Sequence, residues 1–138
     1  MDKALNYVAL ARKAGRVELG EEPVGAAARA HHARLVIVAE DASDHTWRRA
    51  KSFVSGSEQL CIKVPFTKDQ LGQAIGRSSL ALAAFTDPAL ALAFVKALGN
   101  VDEEVVRQLD IRTQRIAKRQ KEAKAHQRNQ RFGRKRNP

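Results

Sequence analysis

Two arrangements in this chain carry residue types suited to holding phosphate. The first is a turn at Gly20, between Val17-Glu18-Leu19 and Glu21-Glu22. A glycine between a short strand and a helix start can take backbone angles closed to other residues, and it lets another backbone approach closely. The first N–H groups of the next helix lack intrahelical partners and point outward, where the helix dipole favours an anion. A strand-to-helix turn with no ligand uses the same residues, so the local pattern admits both readings. Arg12, Lys13 and Arg16 precede the turn and are expected to cluster beside it, as phosphate contacts or as solvated surface.

The second arrangement is the C-terminal segment. The net charge of +10 is unevenly placed. Residues 1–110 hold 14 Lys and Arg against 14 Asp and Glu, whereas residues 111–138 hold 11 basic residues and a single acid, Glu122. Lys118, Arg119, Lys121, Lys124, Arg128, Arg131, Arg134, Lys135 and Arg136 are the candidate phosphate contacts. A segment of this kind neutralises phosphates and releases counterions; about five contacts give a log affinity against log salt slope of roughly −3 to −4. The attraction supplies affinity and not choice of sequence. A solubilising tail, or one that meets acidic protein or membrane surfaces, has the same composition. It lacks a strong apolar face, which argues against membrane insertion.

Catalytic and metal-binding constellations are not expected. Ser43, Asp44 and His45 are consecutive, and sequence neighbours do not converge as a triad must. His31 and His32 are adjacent, so their side chains point apart. Glu40 and Asp41 read as a loop at a strand end. There is neither a phosphate-loop Gly-Lys-Ser/Thr pattern nor a zinc-binding cysteine set. No enzyme activity, cofactor, metal or small-molecule substrate is therefore expected.

The elements that must position these residues follow from periodicity and punctuation. Leu5, Val8 and Ala9 mark one face of a helix from about Lys3 to Ala14, stopped by Gly15. Val17 and Leu19 alternate with polar neighbours as in a half-buried strand. Glu21, Glu22 and Pro23 suit the first turn of a second helix. The apolar run Leu35 to Ala39 predicts a central strand covered on both faces. Ser43 or Asp44 is positioned to cap a third helix that carries Trp47, Ala50 and Val54 and ends near Gly56. Leu60 to Val64 reads as a strand, and Thr67 with Gln70 as the capping box of a short helix ending at Gly76. Leu80, Leu82 and Ala84 mark a fourth strand; Thr86-Asp87-Pro88 opens an apolar fifth helix that Gly99 stops.

Asn100 with Glu103 is expected to begin a sixth helix. Val105, Leu109, Arg112 and Ile116 keep helical spacing, so it docks by its first turns. Lys118 to His126 has helix-favouring composition without a core-facing stripe, and disorder is expected from Gln127 to Pro138. The organisation is thus a domain over 1–99, a docking helix over 100–117 and a basic, partly disordered tail over 118–138. Strands alternating with helices predict a three-layer α/β/α sandwich on a four-stranded sheet. Cys61 is the sole cysteine, which excludes an internal disulfide and reads as a small buried hydrophobe. No apolar run approaches the length that spans a bilayer, and the N-terminus lacks the apolar run of a secretion signal; a cytoplasmic location is expected.

The ordered phrases Leu10-Ala11-Arg12-Lys13-Ala14-Gly15, Val17-Glu18-Leu19-Gly20-Glu21-Glu22, Leu35-Val36-Ile37-Val38-Ala39-Glu40-Asp41 and Phe66 to Gly76 resemble the ribosomal L-seven-Ae and thirty-e superfamily, kink-turn RNA binders, and most nearly its bacterial YlxQ-like branch. The resemblance covers roughly residues 3 to 98. It implies an α/β/α sandwich with a mixed sheet, and a non-catalytic RNA-binding protein associated with ribosomes or ribosomal RNA. It also implies a contact surface at Gly20, Glu21 and Glu22 and, before the last strand, at Arg77, Ser78 and Ser79. Superfamily members read sheared G·A pairs through Asn, Glu and Lys in the turn. Here Glu22, Pro23 and Ala26 hold those positions. An ionised Glu only accepts hydrogen bonds where Asn also donates, and a proline side chain makes none. A protein-interaction module of the translation or transcription machinery on the same fold is therefore the alternative. Arg77 suits stacking on a base or pairing with a phosphate, or belongs to a plain polar turn. Phe66 is a stacking ring or a staple for the next helix.

Overall fold

The computed structural model describes residues 2–100 and 102–136, with side chains described as far as Gln130. Ten elements follow in order: α1 Lys3–Lys13, β1 Val17–Leu19, α2 Glu21–Arg29, β2 Leu35–Ala39, α3 Asp44–Val54, β3 Leu60–Val64, α4 Lys68–Ala74, β4 Leu82–Phe85, α5 Pro88–Leu98 and α6 Glu103–Arg136. The sheet order is β1-β4-β2-β3. β2 and β3 are parallel, and the β1–β4 and β2–β4 pairs are antiparallel. The architecture is the expected three-layer sandwich on a mixed four-stranded sheet.

Strand β2 shows why its five residues are uniformly apolar. Leu35, Ile37 and Ala39 face one cluster with α1, α4, α5 and the start of α6; Val36 and Val38 face a second with Val24 and Ala28 of α2 and Ala50 of α3. All five are 0% exposed. Alternation is present in space but hidden in sequence, because both faces of the sheet are covered. Phe85 and Phe94 pack with ring centroids 5.2 Å apart and anchor the larger cluster.

Local chemistry sets the helix boundaries. The Ser43 hydroxyl accepts from the Thr46 N–H at 3.1 Å and caps α3. Thr67 and Gln70 form the reciprocal capping box of α4. Asp87 caps α5, which Gly99 ends in the left-handed conformation. Helix α6 is capped by Asp102, whose carboxylate accepts from the Glu104 N–H at 2.9 Å, rather than by the expected Asn100. Strand β4 starts at Leu82, so Leu80 belongs to the preceding loop.

Helix α6 departs furthest from expectation. It is one 34-residue helix, roughly 50 Å long at 1.5 Å per residue, and it continues as helix from Gln127 to Arg136 where disorder was expected. That region is rich in Gln, Arg and Lys, good helix formers, and free of proline. Near residue 117 the change is in burial and not in the backbone. Val105, Leu109 and Arg112 are buried, whereas residues 117–130 are all exposed. Among the described residues no helix is long and apolar enough to cross a membrane.

Candidate nucleic-acid interface

The Gly20 turn is built by two constraints. Gly20 has φ 94° and ψ 166°, outside the range that other residues adopt readily. Its N–H donates to the Leu82 carbonyl at 3.1 Å, and its own carbonyl accepts from Val24 N–H at 3.0 Å. The turn is thus pinned to the first residue of β4 while α2 starts. A Cβ placed on Gly20 meets nothing within 4 Å. The glycine is required by its backbone angles and not by a close backbone approach. No side chain caps α2, so the first N–H groups of the helix have no side-chain acceptor.

Arg77, Ser78 and Ser79 are exposed and lead through Leu80 and Ala81 into that same first residue of β4. The loop folds tightly onto α4. The Arg77 N–H donates to the Gly72 carbonyl at 2.8 Å, and the Leu80 N–H to the Lys68 carbonyl at 3.0 Å. A Cβ on Gly72 would lie 2.7 Å from Ser79 N and 2.8 Å from the Arg77 oxygen, so only glycine permits this closeness. Helix α4 is itself tied to the C-terminal end of β2. The Asp41 carboxylate accepts from Lys68 N–H at 2.8 Å, and Glu40 N–H donates to the Phe66 carbonyl at 2.9 Å. The two sequence-predicted loops therefore converge at one end of the sheet, on a rigid frame.

The basic residues before the turn divide. Arg12 reaches this frame: its Nη1 lies 4.0 Å from a Cβ placed on Gly76. Lys13 is exposed at the end of α1. Arg16 is not beside Gly20 as expected. It sits at the start of β1, where its carbonyl accepts from Thr86 N–H at 2.9 Å, and the strand separates it from the turn. Position in sequence misleads here because β1 carries the chain from one end of the sheet to the other.

The electrostatics of the turn depend on a residue the sequence did not point to. Glu21 forms an ion pair with Arg49 of α3, and the Arg49 guanidinium lies 5.4 Å from the Phe53 ring centroid. Arg49 partly neutralises the acidic helix start that would otherwise repel phosphate. Its i+4 spacing from Phe53 was a visible helical pair, but nothing local linked it to Glu21. Glu22, Pro23 and Ala26 are all exposed, so the three altered reader positions lie on the open surface beside the turn. Phe66 is 6% exposed and packs in the core beneath α4, which removes it as a stacking ring.

The C-terminal basic residues are elsewhere. Helix α6 begins near Glu40, Val64 and Pro65, which line a cavity with Asn100 and Asp102. By Arg112 it has reached the Glu58 carbonyl, to which that guanidinium donates. Glu58 precedes β3, at the opposite end of the sheet from Gly20. Five strand residues separate the two ends, roughly 16 Å. Lys118, Arg119, Lys121, Lys124 and Arg128 are exposed beyond that far end. The side chains of Arg131, Arg134, Lys135 and Arg136 lie outside the described residues.

No family model matches the chain. It is 37% identical over 75 residues to the RNA-binding protein YlxQ of Enterococcus faecium, a match covering 54% of this chain and 72% of that protein. The fold is similar to a protein of unknown function from Bacillus halodurans C, with TM-score 0.66 and 24% identity over 72% of this chain and 100% of that one. It is also similar to the Giardia lamblia 15.5kD RNA binding protein, with TM-score 0.59 and 21% identity over 75% and 88% of the two chains. The structural likenesses bear out the architecture, and the sequence likeness bears out the relationship the ordered phrases suggested: the chain belongs to the family of the RNA-binding protein YlxQ.

Proposed function

We propose that this chain is a non-catalytic RNA-binding protein that holds a structured RNA at the Gly20 end of the sheet. The convergence of the Gly20 turn and the Arg77–Ser79 loop on Leu82 carries this reading. It offers uncapped helix N–H groups, Gly20, the Arg77 side chain and the Ser78 and Ser79 hydroxyls on one preorganised surface. Glu21 is held by Arg49, and Glu22 accepts from a base amino group. Arg12, whose guanidinium reaches Gly76, supplies a phosphate contact nearby, and Lys13 extends that charge along the end of α1. The basic half of α6 binds the RNA backbone without reading sequence. Kinship with YlxQ favours RNA over other polyanions, and a ribosomal or ribosomal-RNA location in the cytoplasm suits a protein of this kind.

Full-length protein is to be tested against a kink-turn RNA and a plain duplex of equal length across a salt series. A preference for the kink-turn that disappears in Arg77→Ala but persists when the exposed lysines and arginines of α6 are replaced by Gln supports the reading. Equal affinity for both RNAs, abolished by the α6 replacements alone, refutes it for the Gly20 surface. The exposed Glu22-Pro23 and Ala26 surface favours a second reading, a protein partner of the translation or transcription machinery. Capture of such a partner that survives ribonuclease and is lost on changing Glu22 distinguishes that outcome.

A further inference from the structure

The end of the sheet opposite Gly20 contains a cavity of about 300 Å³ lined by His31, Arg34, Gly56, Ser57, Glu58, Gln59 and Arg112. Most of its wall is fully committed. Gln59 accepts from Ala33 N–H at 2.9 Å and donates to the Ala28 carbonyl and to Ser57 Oγ, both at 3.1 Å. The Ser57 hydroxyl in turn donates to the Val54 carbonyl at 2.8 Å. What remains is almost entirely donors. Arg112 is 7% exposed and spends one guanidinium N–H on the Glu58 carbonyl. Arg34 Nε is buried without a hydrogen-bond partner among the described residues. His31, held at φ 59° in the left-handed turn after α2, adds an imidazole.

Two arginines sharing a recess whose wall makes no carboxylate–guanidinium ion pair leave positive charge unbalanced. Burial lowers the Arg112 pKa; the Glu58 carboxylate partly opposes this, while Arg34 and Arg115 repel. Glu58 is exposed at the rim and pairs with neither guanidinium. A buried donor without a partner carries an uncompensated desolvation cost, and planar guanidinium forks match the oxygens of a phosphate. An anion seated between Arg34 and Arg112 satisfies both groups at once.

We infer that the recess between Arg34 and Arg112 is a phosphate-binding site, separate from the Gly20 surface. Its position links it to the basic helix. Arg112 is followed on α6 by exposed Arg115, Lys118 and Arg119, so a backbone neutralised by the helix passes the mouth of the recess. A phosphodiester of RNA and a small phosphate ester share the recognised chemistry, and competition separates them.

The test uses the full chain, with arginine Nε–H resonances followed by NMR during titration with inorganic phosphate at fixed ionic strength, against chloride. The expected result is a saturable shift of the Arg34 and Arg112 signals, with exposed Arg48 unmoved. Arg34→Gln weakens phosphate binding at least about tenfold, as loss of a charge-assisted hydrogen bond does. Arg112→Lys keeps the charge but loses the fork and weakens binding as well; thermal melts confirm that both variants fold. Shifts that rise without saturation, or equally at all arginines, overturn the site. Duplex RNA is then added to the phosphate-saturated protein. Displacement of phosphate identifies an RNA phosphodiester as the occupant; retention identifies a small phosphate ester. Kink-turn preference measured on Arg34→Gln reports separately on the Gly20 surface, so failure of one reading does not imply failure of the other.

Discussion

The Gly20 end of the domain and the outer half of α6 are both candidates for RNA contact, yet they are constructed on opposite principles. The first is held by contacts distant in sequence: Gly20 to Leu82, Asp41 to Lys68, and Gly72 beneath Ser79. It carries little net charge, because Glu21 is matched by Arg49. The second is exposed at every residue from 117 to 130 and carries most of the charge excess. A rigid, balanced surface selects shape, whereas a charged and solvated helix selects only for phosphate. Because the two lie at opposite ends of the sheet, one RNA must extend along the domain to reach both.

The largest expected effect removes the second region. Replacing Lys118, Arg119, Lys121, Lys124 and Arg128 with Gln should flatten the salt slope by roughly 3 to 4 and lower RNA affinity at least about 100-fold near physiological salt. The melting temperature should change little, since these side chains are exposed. The loss should be greater for a long RNA than for a minimal kink-turn, because only the long RNA spans the domain. Equal losses for both lengths would break the two-ended picture.

Within α6 itself, Leu109→Ala should cost about 3 kcal/mol in denaturant unfolding, as for other buried leucines. Lys121→Ala should stay within about 0.5 kcal/mol of the parent. A similar cost at both positions would mean that the outer half is packed after all.

Gly72→Ala should displace the Arg77–Ser79 loop, because the added methyl meets backbone atoms that cannot rotate away. A loss of about 1–3 kcal/mol is expected, together with loss of kink-turn preference, while the salt slope stays near that of the parent. Gly20→Ala meets no neighbour and should cost only about 1 kcal/mol through its backbone angle. A change in preference at Gly72 but not at Gly20 would shift the contact toward the Arg77 loop.

The smallest effect concerns Cys61. Burial pushes its thiol up to about 12, with Lys51 opposing weakly. The thiol therefore stays neutral in the fold, and its contribution to stability is complete below the unfolded-chain value near 9. That contribution is lost as pH rises from there toward 12. At neutral pH, alkylation should be slow in the folded protein and fast in denaturant; rapid labelling of the folded chain would contradict this burial.

Most of the elements were legible because their signals are local. Thr67 and Gln70 make their capping box wherever the helix goes, and Gly99 stops α5 by its own backbone freedom. Asn100 failed as a cap because Asp102 lies closer to the first free N–H groups of α6. Helix from Gln127 onward is hard to read from sequence because a core-facing stripe is lacking there and only a composition of good helix formers signals it. The candidate contact surface is legible only through kinship. Gly20 and Arg77 are 57 positions apart, and only the antiparallel β1–β4 register brings them together. The positions of Arg16 and Arg49 are illegible in sequence for the same reason: neighbours across a sheet or between helices leave no spacing signature.

The sequence by itself determined the order of helices and strands, the double-faced burial of Leu35 to Ala39 and the concentration of charge after residue 110. Each depends on side-chain chemistry over a few neighbouring positions. Only the tertiary structure decided that the Gly20 turn and the basic helix face opposite ways, and that Arg34 and Arg112 share a recess at the far end. Those facts depend on strand direction and on the path of α6 across the sheet, and that path is set by burial of Val105 and Leu109 against the larger core cluster.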